Sequence, residues 1–140
     1  MNQGELFTAF LVDLQRIFRT EVVPKNLSYS QVLAIIIIPN DGIEMSELAR
    51  TLGLENSTVT RLIARLERNN YVTRKKSEAD KRSINVFLDQ KGAMLQTDIE
   101  KKIDKICNQI FLKNNQVEKE LFLENLSLFQ WSLKKTFLKK

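Results

Sequence analysis

The sequence predicts a mainly helical, α+β fold in which longer terminal helices carry a small central unit of short helices and one β-hairpin. Three observations point there. The 140 residues contain only four glycines and two prolines, so the chain has few places to turn and long helices are expected. Apolar residues recur at helical spacing near both ends. In the centre, two short segments with helical periodicity meet at a glycine and are followed by two β-prone segments around a polar turn.

Taken in order, Leu6, Phe10, Leu14, Ile17 and Phe18 place a helix over about 5–23, ended by Pro24. A second, short helix follows a cap at Ser28 or Ser30 and runs to Ile38, before the turn cluster Pro39-Asn40-Asp41-Gly42. Its β-branched isoleucines also fit a buried strand; the neighbouring elements favour the helix. Ser46 is read as the cap of a helix that closes at Gly53, a residue suited to a left-handed turn. The next helix covers about 56–70. Tyr71 to Lys76 and Ser83 to Leu88 read as two strands around 77–82. Asp89 is expected to cap a long helix over about 90–113, and a last helix covers about 117–137.

Composition narrows the functions open to this chain. With one cysteine, Cys107, and no histidine, an intramolecular disulfide, a Cys/His zinc site and a His-dependent nucleophilic triad are ruled out. No Gly-rich phosphate loop, nucleophile elbow or paired-acid motif occurs, so the chain is read as not an enzyme, and no cofactor or metal is expected. The longest apolar run, Val32 to Ile38, has seven residues, too few to span a bilayer. No secretory leader is recognisable at the N-terminus, and the expected compartment is the cytoplasm.

The net charge of +5 is concentrated. Residues 57–82 hold eight Lys/Arg against three acids, which is the whole excess; elsewhere the signs balance. Such a patch suits a polyanion, because each neutralised phosphate releases condensed counterions. Within it, at 100° per residue, Val59, Leu62, Ile63 and Leu66 fall within about 100° of one another and form a core stripe. Ser57, Thr58, Arg61, Arg65 and Arg68 fall opposite. In a major groove, Arg can pair with guanine O6 and N7, and Ser/Thr can reach bases or phosphates. A solvated amphipathic helix would show the same pattern. The hairpin favours nucleic acid: Arg74, Lys75 and Lys76 lead into it and Asp80-Lys81-Arg82 sits at its end, where a basic turn can enter a narrow minor groove. Asp80 is read as the carboxylate that orients the Arg82 guanidinium; a plain turn-forming Asp is the alternative.

Seven of the eight phenylalanines lie in the terminal helices. That count does not separate an ordinary intrachain core from one that also pairs two chains.

The fragments Met45-Ser46-Glu47-Leu48-Ala49, Leu52-Gly53-Leu54, Ser57-Thr58-Val59-Thr60-Arg61, Leu66-Glu67, Tyr71-Val72-Thr73-Arg74, Asp80-Lys81-Arg82 and Leu88-Asp89-Gln90-Lys91-Gly92 resemble, in order and spacing, the MarR (multiple antibiotic resistance regulator) family. The likeness covers about residues 45–92. It implies a winged helix-turn-helix domain over 28–89, with 1–27 and 90–140 as a helical dimerisation region. It further implies a homodimeric transcriptional regulator, usually a repressor, on double-stranded DNA carrying an inverted repeat. Release by a small aromatic ligand or by oxidation is a common family trait. The implied DNA-binding residues are Ser57, Thr58, Thr60, Arg61, Arg65, Arg68, Arg74, Lys76, Asp80, Lys81 and Arg82, with Arg82 at the wing tip; such a protein would associate with the nucleoid. Two positions depart from the family: Asn70 replaces a common Gly and Asp89 a common Thr, and both substitutes keep the needed conformation or cap. Cys107, inside a predicted helix, is expected to be a buried, inert thiol. Two other functions fit the residues: a regulator of the same fold controlled by its abundance, and a winged-helix adaptor for an acidic protein.

Overall fold

The computed structural model describes residues 1–138; Lys139 and Lys140, included above in the dimerisation region, lie outside them. The elements are α1 (Gln3–Ile17), a π-helical turn (Phe18–Val22), α2 (Tyr29–Ile37), β1 (Ile43–Glu44), α3 (Met45–Leu52), α4 (Asn56–Arg68), β2 (Val72–Lys76), β3 (Ile84–Leu88), α5 (Gln90–Ile110) and α6 (Gln116–Phe137). The winged helix-turn-helix is present. Two units are distinguished, 1–103 and 104–140, and the division falls inside α5.

In the first unit, α1 starts earlier than its apolar pattern does, because Asn2 and Glu5 form a capping box: Asn2 Oδ1 accepts the Glu5 N–H at 2.9 Å and Glu5 Oε2 accepts the Asn2 N–H at 3.1 Å. Its last turn widens, with the Val23 N–H donating to Phe18 O, before Pro24. Ser28 and Gln31 form a second capping box, which settles the isoleucine run as helix α2. Ile38 ends it in an extended conformation (φ −66°, ψ 115°), as a residue preceding proline prefers.

The turn after Pro39 closes at Gly42, whose φ of +85° and position against the Phe87 ring leave no room for a side chain. It delivers a two-residue strand, too short to leave an alternation in the sequence. Ile43 pairs with Val86 and Glu44 with Asn85, giving an antiparallel sheet in the order β1-β3-β2. This pairing also corrects the expected cap of α3. The helix begins at Met45, and Ser46, already inside it, donates its hydroxyl to Glu44 Oε1 at 2.8 Å instead of capping. Gly53 takes the left-handed turn (φ +68°), and the Leu54 N–H reaches back to Ala49 O. Asn70 likewise adopts φ +66° after α4.

The core of this unit is apolar: Val32, Ile35, Leu48, Ile63, Leu66 and Val86 are all fully buried, together with Ile99 from α5. Each such side chain stabilises the fold by roughly 1.5–3 kcal/mol relative to exposure. Asp89 stands immediately before α5 and accepts the Thr73 hydroxyl at 2.6 Å, tying the helix entrance to β2.

In the second unit, Asn115 caps α6 through the Glu118 N–H, and the Phe111 and Phe122 rings meet edge-on at 5.2 Å between centroids. No described residue of α6 is buried, nor is any of α1. Phe10, Leu14, Phe122, Leu126 and Phe129 are among the large apolar side chains left exposed in the single chain. Cys107 is exposed too, which corrects the expectation of a buried thiol. The reason is position: it lies in the last turns of α5, where even Ile110 is 58% exposed. No described helix is long and apolar enough to cross a membrane.

Candidate nucleic-acid interface

Helix α4 divides as its sequence pattern requires. Val59, Leu62, Ile63 and Leu66 are buried against the first unit, while Ser57, Thr60, Arg61, Arg65 and Arg68 are exposed and Thr58 is half-buried. Thr60 donates its hydroxyl to Asn56 O at 2.8 Å, which leaves its oxygen to act only as an acceptor toward a ligand. Among the described residues no ion pair engages Arg61, Arg65 or Arg68. Three guanidinium groups, spaced one turn apart on a helix whose back is packed, therefore point their donors at solvent.

The hairpin places the other cations. Strands β2 and β3 pair from Val72–Leu88 to Lys76–Ile84, and Lys76, Lys81 and Arg82 are exposed. Lys75, outside the set expected from sequence, is exposed as well and lies 5.4 Å from the centroid of the Phe87 ring. At the tip, Arg82 has 97% of its side chain in solvent. Asp80 Oδ1 accepts the Arg82 backbone N–H at 3.0 Å and stands 4.0 Å from Arg82 Nε. Its closer contact thus shapes the turn, and an exposed pair at 4.0 Å holds the guanidinium only loosely.

Arg74 differs from its neighbours. Its Nη2 and Nε donate to Glu67 Oε1 at 2.9 and 3.2 Å, and its backbone N–H donates to Glu67 Oε2 at 2.9 Å. This residue, expected on the DNA-binding face, also joins α4 to β2. The Arg74 side chain, then its backbone N–H, hold the Glu67 carboxyl below its usual range, against the opposing effect of burial.

A shallow depression of about 220 Å³ adjoins the outward face of α4, lined by Thr58, Arg61, Leu62 and Arg65 from α4 and by Ser28 and Gln31 from the start of α2. Sequence reasoning assigned Ser28 only a capping role and did not mark Gln31. Neither residue type carries a signal for this placement, which follows from packing α2 against α4.

Residues 27–84 match the family model described as the MarR family. Over 80 residues the chain is 32% identical to the organic hydroperoxide resistance transcriptional regulator of Bacillus subtilis (strain 168), covering 56% of this chain and 52% of that protein. It thus spans about half the length of that relative. It is 25% identical over 107 residues to the HTH-type transcriptional regulator MgrA of Staphylococcus aureus, covering 75% and 73%. Its fold is similar to that of Streptococcus pneumoniae FabT, solved in complex with DNA, with a TM-score of 0.80, 21% identity and coverage of 97% and 96%.

Proposed function

We propose that this chain, whose residues 27–84 match the MarR family model, is a sequence-specific DNA-binding transcriptional regulator that acts as a homodimer on an inverted repeat. The observation that carries the reading is the outward face of α4. Arg61, Arg65 and Arg68 have no carboxylate partner among the described residues, and the wing beside them bears the exposed Lys76, Lys81 and Arg82. Ser57, Thr58, Thr60 and Arg61 would read base edges in the major groove, since helix-turn-helix proteins make base contacts from the first turns of this helix. Arg65, Arg68, Lys76 and Lys81 would hold phosphates, and Arg82 would enter the minor groove from a turn shaped by Asp80.

Residues 28–89 are assigned to DNA, and 1–27 with 90–140 to pairing two copies. The exposed apolar residues of α1 and α6 support this division, because a monomer in water would carry them at a cost and a second copy can cover them. Interfaces of this kind bury more than ~2,000 Å². Repression is the proposed outcome, by a two-fold dimer covering the duplex beneath it. A small aromatic ligand is the proposed effector class. As a DNA-bound protein it would reside in the cytoplasm, associated with the nucleoid.

The test is selection of bound fragments from a random DNA pool by the purified protein, followed by titration across salt. Inverted half-sites about 10 base pairs apart are expected. Affinity should fall by ~10³-fold or more between 50 and 200 mM monovalent salt if roughly 6–10 phosphates are neutralised. Recovery of no sequence preference, or a flat salt response, would overturn the reading.

A further inference from the structure

We propose that Lys91 and Gln96, both on α5, are positioning residues that hold the DNA-reading unit at a set angle to α5 and so determine the half-site spacing the protein accepts. This rests on the dimeric DNA-binding function proposed above.

The observation is that α5 seizes the C-terminal ends of two other helices by their carbonyls. A helix leaves its last four C=O groups without intrahelical partners. At the end of α4, Lys91 Nζ donates to Asn69 O at 2.9 Å. The same ammonium lies 4.3 Å from the centroid of the Tyr71 ring, and the Tyr71 hydroxyl accepts from Asn26 Nδ2 at 3.2 Å. At the end of α2, the Gln96 amide donates to Ile35 O at 2.8 Å and to Ile38 O at 2.9 Å. These partners are 61 and 58 residues away in sequence, so the amide closes a tertiary joint and not a local turn.

The start of α5 also lies close to Tyr71: the Asp89 N–H donates to Tyr71 O at 2.9 Å, and Gly92 packs so close to that carbonyl that a Cβ would overlap it. Lys91 and Gln96 stand five positions apart, which on an ideal helix is ~140° of rotation and ~7.5 Å of rise. Two grips on different sides of one helix resist both rolling and sliding, which either alone would permit. The helix runs on to Ile110, and residues 90–110 fall within the segment proposed for pairing.

The consequence is geometric. Adding one base pair between half-sites rotates one of them by roughly a tenth of a turn and shifts it by about 3.4 Å. A joint held at two points cannot follow that change, and a released joint can. The gain of a second linked contact depends on how closely the joint matches the span. Loosening should therefore weaken binding at the preferred spacing and flatten the penalty for altered spacing, while leaving the reading of each half-site alone.

The experiment compares the full chain with Gln96→Leu, Lys91→Met and Lys91→Arg. Each is titrated against the selected operator, the operator with one base pair inserted at its centre, and operators with single substitutions inside a half-site. Wild type should lose about tenfold or more on insertion, and Gln96→Leu and Lys91→Met only about threefold or less, with the half-site penalties unchanged. Lys91→Arg keeps a donor and should restore the wild-type spacing penalty. Lys91 is exposed, so its variants carry the test even if Gln96→Leu fails to fold. Retention of the full spacing penalty in Lys91→Met overturns the proposal, as does a parallel loss of spacing and half-site penalties, which would mark a general loosening. Failure of the wild-type chain to select paired half-sites would instead bring down the dimeric DNA-binding function, and this inference with it.

Discussion

Replacing Glu67 by Gln isolates the joint between the reading helix and the wing. The carboxylate accepts three hydrogen bonds from Arg74, two from the guanidinium and one from the backbone. A Gln at this site keeps one acceptor oxygen and turns an N–H donor toward a donor of Arg74, so at least one bond is lost and the charge assistance with it. Charge-assisted bonds contribute about 1.5–3 kcal/mol each, but both side chains keep about a third of their surface in water (34% for Glu67, 30% for Arg74), which screens the pair. A net loss of about 1–2 kcal/mol at pH 7 follows. The pH dependence has a definite sign. The folded-state pKa of Glu67 is depressed below 4.5, so its contribution is present above that value and is lost as pH falls through the lowered one. The assay is urea unfolding of wild type and Glu67→Gln at one protein concentration, repeated from pH 7 downward, since dimer stability depends on concentration. A gap of the stated size that narrows below pH 4.5 is expected. Equal stability at pH 7, or a gap that stays constant into acid, would refute the reasoning.

Arg61→Ala should cost about 1–3 kcal/mol on the selected operator and flatten base preference at one symmetric pair of positions. Arg82→Ala should weaken all A·T-flanked sites together and lower the salt slope, leaving the major-groove preference intact; titration against single-base operator variants separates the two. Asp80→Ala should act as a milder Arg82→Ala in the same titrations, because the turn that presents the guanidinium loosens; tighter binding would show Asp80 to be a repelling charge. Gly92→Ala should destabilise the fold by about 1–3 kcal/mol in urea, although Ala gains about 1 kcal/mol in helix propensity, because the added Cβ meets the Tyr71 carbonyl. Phe122→Lys, placing a charge on the exposed apolar surface of α6, should shift light scattering from a dimer toward the 16.3 kDa monomer, and an unchanged mass would count against that surface as the interface.

The features legible in the amino-acid sequence are those whose cause is local. The division of α4 into a core stripe and an arginine face follows from helix periodicity alone. Gly53 was readable because few residues tolerate the left-handed turn, and Asn70 through the family resemblance; both adopt it. The hairpin, and the concentration of cations around it, were readable from alternation and counting. Tertiary structure decided whatever depends on residues distant in the chain. Strand β1 is two residues long, too short for any period, and exists because β3 offers it partners; that pairing moved the start of α3 and displaced Ser46 from the cap. Nothing in the spacing of Glu67 and Arg74, seven apart across a turn, distinguishes a committed guanidinium from a free one. Cys107 lay in a helix as expected, yet whether that stretch of helix is covered is a matter of what packs on it. The clamps from Lys91 and Gln96 join positions 22 and about 60 residues apart. A side chain's own sequence determines what it can bond; only the folded backbone decides which carbonyl or carboxylate comes within 3 Å of it.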